Sequence, residues 1–148
     1  KVNMPEFGPQ SLANLATCDP ELQRVCREVI KFVDFSVIEG ARADARQEQL
    51  FKQGKSTLDG VNKRSRHQVT EAQPLSRAVD LLPYPAVLHG KNIWDDTERF
   101  LLFIGMVIGI GRVHGVELVS GIDWNRDGST ADTNFRDMPH FQLMEPKK

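Results

Sequence analysis

The chain has 148 residues, with 19 Lys and Arg against 20 Asp and Glu and a formal net charge of −1. Apolar residues make up 40% and charged residues 26%, which is ordinary for a globular domain and too apolar for a disordered chain. The length suits one domain, residues 1–148, with its own core, and the near-neutral charge argues against a nucleic-acid binder held by phosphate contacts.

In chain order, the opening KVNMPEFGPQ has no apolar run of the kind a secretion signal carries. Asp19-Pro20 reads as a helix start, with Asp as cap and Pro in the first turn. Leu22, Val25, Cys26, Val29, Ile30 and Val33 then recur at helical spacing. The two cysteines, Cys18 and Cys26, make no disulfide framework and read as reduced, packed thiols. Phe35 to Ile38 alternates like a strand and ends at Gly40. Ala41 to Gln53 is rich in helix formers and stops at Gly54, and Thr57 to Arg66 reads as a loop. Ala78 to Leu82 is a buried strand closed by Pro83 and Pro85. Asn92 to Val113 is a long helix, apolar nearly all round in its second half and so expected at the centre of the core. Its apolar run, Phe100 to Gly111, has 12 residues, short of the roughly 20 that span a bilayer. Gly105 and Gly109 within it predict a close helix contact. Val116 to Val119 and His140 to Leu143 read as the last strands. Without regular β-α-β alternation, these elements predict an α+β fold with a small, mainly antiparallel sheet packed against helices.

Two imidazoles and a carboxylate come from Ser65-Arg66-His67, from Ala78-Val79-Asp80 and from Asp137-Met138-Pro139-His140. His67, Asp80 and His140 suit a catalytic zinc, which takes three protein ligands and keeps a fourth position for water. Asp137, three residues before His140, is placed to act there as a general base. The residues alone also allow a loop histidine, a turn-capping aspartate and a histidine packed in a strand. His89 and His114 read as surface or cap residues, Trp94 and Trp124 as core or half-buried aromatics with a groove wall as the alternative, and Lys63, Arg64 and Arg66 as a small basic cluster. No nucleophile elbow or activated cysteine is visible.

The segments SRH and AVDL, then DMPHF, preceded by EGAR and RQEQLF, resemble the zinc D,D-peptidase-like superfamily. That superfamily holds D-Ala-D-Ala carboxypeptidases and dipeptidases and the phage endolysins that are L-alanyl-D-glutamate peptidases. The ending DMPHFQL is most similar to the endolysin branch, and the resemblance runs from Leu12 to Leu143. It implies a hedgehog/D,D-peptidase-like fold, zinc on His67, Asp80 and His140, and Asp137 as base. It further implies that Arg42 anchors substrate or steadies the oxyanion, and that Ser65 and Gln47 lie near the substrate. The implied protein is a monomeric, zinc-dependent endopeptidase that cuts the peptidoglycan stem peptide between L-alanine and D-glutamate. It would wait in the host cytoplasm for release by a holin, then act at the cell wall and lyse the host. In most members the first histidine and the aspartate lie closer together, with a glycine between. Here Asp80 follows His67 by 13 positions, which reads as a loop insertion. Glu71 is then an alternative ligand, and Asp80 is preferred because Ala78 to Leu82 gives it a rigid seat.

Asp123, Asn125 and Asp127 alternate and Gly128 follows, the D-x-N-x-D-G opening of a calcium loop. Ser129 would supply the carbonyl ligand, and Asp132 would stand in for the usual glutamate, whose place holds Asn134. The alternative is a plain Asp/Asn/Gly turn. With calcium bound, the loop is expected to order Asp137 and His140 and so switch activity. Two rival functions share these features: a D-Ala-D-Ala carboxypeptidase or dipeptidase, and a non-catalytic, calcium-dependent wall-binding module.

Overall fold

Prolines open the first two helices. In the computed structural model, which describes residues 3–146, α1 spans Pro9–Leu15 and α2 spans Pro20–Val29. Asp19 caps α2 by accepting from the Glu21 N–H at 2.9 Å. Leu22, Val25, Cys26 and Val29 are buried on one face, as their spacing predicts. Val33 lies past the end of the helix but still packs against the core. α1 is not among the expected elements, because a seven-residue helix burying Ser11 and Leu15 shows no periodicity. It serves the sheet directly: Ser11 Oγ accepts from the Val37 N–H at 3.0 Å, and Asn14 donates to the Val37 carbonyl at 2.8 Å. Those two bonds satisfy the outer edge of a strand that has no further neighbour.

That strand is β1, Phe35–Glu39. With β2 (Ala78–Pro83), β5 (Leu118–Gly121) and β6 (Asp137–Leu143) it forms one antiparallel sheet in the order β1-β2-β6-β5. β3 (Val87–Leu88) and β4 (Lys91–Asn92) make a separate short hairpin. The remaining helices are α3, Asp44–Lys52, and α4, Thr97–Val113. The α+β class and the small antiparallel sheet are therefore as expected.

Four element starts move, each for a local reason. α3 starts at Asp44 rather than Ala41, because the Arg42 N–H is taken by the His67 carbonyl at 2.8 Å and its backbone stays extended. α4 starts at Thr97 rather than Asn92. Asn92 instead caps a 3-10 turn, Ile93–Asp95, and Asp96 then caps the helix by accepting from the Arg99 N–H at 3.2 Å. β5 starts at Leu118, since the Val116 N–H still bonds back to the Gly111 carbonyl at 2.8 Å. β6 starts at Asp137, so the whole Asp137-to-His140 segment is strand.

α4 is not the central helix expected. Phe100, Phe103, Ile104 and Val107 bury one face, while Leu102 and Val113 are 69% and 83% exposed. It covers the core from outside. Gly105 and Gly109 are exposed, with nothing within 4 Å of where a Cβ would stand, so they make no close helix contact. The core is carried by Phe35, Phe103 and Phe141, whose ring centroids are 5.4 and 6.3 Å apart along the row. Truncating a buried phenylalanine of this kind to alanine costs about 3–5 kcal/mol. Within β2, Val79 and Leu81 join this core, and within β6 Phe141 and Leu143 do. Strand alternation then turns Asp80, His140 and Gln142 to the opposite face.

Cys18 and Cys26 are free and buried, as expected. Burial pushes the Cys18 thiol up to about 11 and the Cys26 thiol higher still, so neither forms a reactive thiolate near neutral pH. No helix among the described residues is long and apolar enough to cross a membrane.

Candidate active site

The paired strands β2 and β6 put Asp80 directly opposite His140. His67 comes from the loop before β2 and is almost wholly buried. His67 Nε2 lies 3.2 Å from Asp80 Oδ1 and 3.2 Å from His140 Nδ1, and His140 Nδ1 lies 3.4 Å from Asp80 Oδ1. Among the described residues this is the one group of three such side chains whose ligand atoms all lie within 4.8 Å of one another.

The outer atoms of the two rings show what the centre holds. His67 Nδ1 is 2.8 Å from the Gly40 carbonyl, and His140 Nε2 is 2.9 Å from Gln142 Oε1. Each outer nitrogen therefore carries the proton and donates, which leaves a lone pair on each inner nitrogen. Two lone pairs and a carboxylate oxygen thus face one point. Ligands about 2.0–2.1 Å from a tetrahedral zinc lie about 3.3 Å from one another, which matches this triangle. With protons rather than a metal on the inner nitrogens, burial opposes ionisation of Asp80, but the hydrogen bonds and charges of His140 and His67 outweigh it and hold the carboxyl well below the usual carboxylate range. Burial also opposes a charge on His140, and its bonds to Asp80 and Gln142 outweigh that and raise the imidazole. Two imidazoles and a carboxylate gathered this closely are a donor set that fits a zinc ion. Glu71 is exposed on the loop between His67 and β2 and takes no part.

A cleft of about 450 Å³ opens over this triangle. Asp137 lines it, with Oδ2 4.0 Å from His140 Nδ1. Burial raises the Asp137 carboxyl and the charge of Asp80 adds to this, against the pull of His140, His67 and Arg42. The backbone of Asp137 sits tight against β5: a Cβ on Gly121 would stand 2.1 Å from the Asp137 carbonyl oxygen, so only glycine allows this register. Gly40 is constrained in the same way, because a Cβ there would meet Thr17 Oγ1 at 2.3 Å and the Asn14 carbonyl at 2.5 Å. Its carbonyl is the one that orients His67.

Arg42 lies on the cleft wall and reaches Asp80 Oδ2 at 3.8 Å. Its guanidinium is held in a fork by Glu39, at 3.0 and 2.5 Å, and by Gln47 Oε1 at 2.8 Å. Gln47 is fully buried and spends its amide N–H groups on Ser56 Oγ and the Leu58 carbonyl. It stands behind Arg42 rather than in the cleft. Ser65 lines the cleft, accepts from the His67 N–H at 3.2 Å and lies 3.5 Å from Arg42. Trp124 and Phe135 form an aromatic wall, and the indole packs on His140 at 5.3 Å between centroids.

The family model for phage L-alanyl-D-glutamate peptidases matches residues 4–144. The chain is 33% identical over 129 residues to an L-alanyl-D-glutamate peptidase of Escherichia phage T5, covering 86% of this chain and 87% of that one. The chain belongs to the phage L-alanyl-D-glutamate peptidase family. The crystal structure of the Serratia marcescens L-Ala-D-Glu endopeptidase ChiX is similar throughout, with a TM-score of 0.67 and 30% identity over 94% of this chain and 90% of that one.

In this member of the phage L-alanyl-D-glutamate peptidase family, the Asp-rich segment forms a loop between β5 and β6. Asp123 accepts from the N–H groups of Asp127 and Gly128, at 3.1 and 3.0 Å, and Asp127 accepts from Ser129 at 2.7 Å. Asn125 donates to both Asp127 and Asp132, at 3.2 and 2.8 Å. The loop's carboxylates are thus spent on its own backbone and on Asn125. Among the described residues they do not converge as closely as the His67 group. Glu39, Gln142 and Gly121 are the site residues that residue type alone passes over. The two-residue step from His140 to Gln142 is the signal that points to Gln142.

Proposed function

We infer that the protein is a zinc-dependent peptidoglycan endopeptidase that hydrolyses the bond between L-alanine and D-glutamate in the stem peptide. The observation that carries this is the convergence of His67, Asp80 and His140 beside Asp137 and Arg42, in one cleft of a chain that belongs to this family. His67, Asp80 and His140 would hold a zinc ion, which would supply Lewis acidity toward the scissile carbonyl and the attacking water. Asp137 takes the proton of the attacking water on its carboxylate and passes it to the leaving amine of D-glutamate. It lines the same cleft 4.0 Å from His140 Nδ1, a position that suits a group that accepts and then donates. Arg42, fixed by Glu39 and Gln47, presents its remaining N–H face to the negative charge that develops on the carbonyl oxygen. Ser65 holds the turn that carries His67.

The same reading takes the Asp123, Asn125, Asp127, Ser129 and Asp132 loop as a calcium site that orders the Asp137 end of β6. It is supported by the D-x-N-x-D-G order of the sequence. The enzyme acts as a monomer at the cell wall, after a holin releases it from the host cytoplasm, and so lyses the host.

The test is mass spectrometry of fragments released from purified peptidoglycan, with zinc and calcium supplied. New amino termini on D-glutamate are the expected result. Release of free D-alanine alone overturns the bond assignment and moves the protein to the carboxypeptidase branch. Intact peptidoglycan in the presence of bound zinc overturns the enzyme reading.

A further inference from the structure

Gln142 faces two partners at once. Its Oε1 lies 2.9 Å from His140 Nε2, and its side chain also lines the cleft. Its amide nitrogen makes no hydrogen bond to the described residues and is not sealed from solvent. A carboxamide has an acceptor end and a donor end, so its orientation selects the tautomer of the ring it meets. With Oε1 toward the ring, the proton stays on His140 Nε2 and the lone pair sits on Nδ1, inside the triangle. With the amide turned over, its N–H would need a lone pair on Nε2. The ring proton would then sit on Nδ1, between Asp80 and His67, in the metal's place. His67 has the same device in the Gly40 carbonyl, which is main chain. Gln142 is thus the side chain that decides whether the triangle is open.

The orientation that opens the triangle also fixes what the cleft meets. The donor end is left facing the space beside His140, where it can bind only an oxygen acceptor. We propose that Gln142 is a positioning residue for His140 and, through its amide N–H2, a subsite for a carbonyl or carboxylate oxygen of the stem peptide. The substrate half of this rests on the endopeptidase reading above, and the metal half only on zinc at the triangle.

Two substitutions separate the halves. Gln142→Leu removes acceptor and donor. Gln142→Glu keeps an acceptor for His140 and removes the donor. Zinc affinity is read by chelator competition on protein without substrate, and kcat and KM on soluble peptidoglycan fragments. Gln142→Leu is expected to weaken zinc about 10–100-fold. Gln142→Glu is expected to restore zinc binding and to raise KM more than it lowers kcat. Gln142→Asn, an amide too short to reach the ring, replaces the leucine variant if that one does not fold. Wild-type zinc affinity in Gln142→Leu or Gln142→Asn overturns the positioning role, as does a Gln142→Glu variant as weak as the leucine one. Wild-type KM in Gln142→Glu overturns the subsite. A protein that binds zinc but cuts no L-alanyl-D-glutamate bond defeats the endopeptidase reading and the subsite, and leaves the zinc result to decide the positioning role. A wild-type protein that takes up no zinc overturns both halves.

Discussion

Asp137 and His140 sit three residues apart on one strand, yet their tasks separate cleanly. Only His140 points an atom into the triangle, while Asp137 stands 4.0 Å away with its carboxyl raised by burial and by Asp80. Asp137→Ala is therefore expected to keep zinc by metal analysis and to lose about 10²–10⁴-fold in turnover. His67→Ala is expected to lose both, because it removes a ligand. In the loop after α3, Asp59 accepts from the N–H groups of Lys63, Val61 and Asn62, at 2.8, 2.9 and 2.8 Å, and these bonds lower its carboxyl to about 2. A lowered folded pKa stabilises above the unfolded value and is lost as pH falls through the folded one. The stability gap between wild type and Asp59→Ala is thus expected to be full above pH about 4 and to close toward pH about 2, as read by urea unfolding at several pH values. The convergence of His67, Asp80 and His140 was legible from residue type joined to family resemblance. The hold of Glu39 on Arg42 was not, because an i, i+3 acid and base on extended backbone look like any surface pair until the fold buries them.

Among the elements, α4 shows where periodicity misleads. Its run of apolar residues predicts burial all round, but the sheet offers one face only, and Leu102 and Val113 remain in solvent. Gly105 and Gly109 lie on the exposed helix with open space at their Cβ positions. Gly105→Ala and Gly109→Ala are each expected to stabilise the fold by about 0.5–1 kcal/mol, measured by urea unfolding, since nothing is displaced and backbone entropy of the unfolded chain falls. A contact partner on that stripe would reverse the sign. α1 was illegible for the opposite reason: its work is done by Ser11 and Asn14 on the edge of β1, and polar side chains leave no hydrophobic pattern. The Asp-rich loop yields its own test. A calcium-specific chelator that leaves zinc in place is expected to lower turnover. Unchanged activity would reduce the loop to a turn held by its own aspartates.

Across the whole molecule, the antiparallel sheet was legible from four alternating or apolar runs, and their order was not. β1-β2-β6-β5 depends on which edges meet, and the close approach of Gly121 to Asp137 that sets one register is visible only in three dimensions. That order has a kinetic consequence. Asp80 and His140 lie on the two inner strands, each hydrogen-bonded on both sides, whereas His67 hangs from a loop. Inner strands open only when the domain opens, while loops fluctuate at far lower free energy. The amides of Val79 to Leu81 and of His140 to Gln142 are expected to exchange with deuterium at the global unfolding rate, and those of residues 68–75 much sooner. Comparable exchange in both would remove the distinction. An ion held by this triangle would be released first on the His67 side, since Asp80 and His140 keep their places until the protein melts.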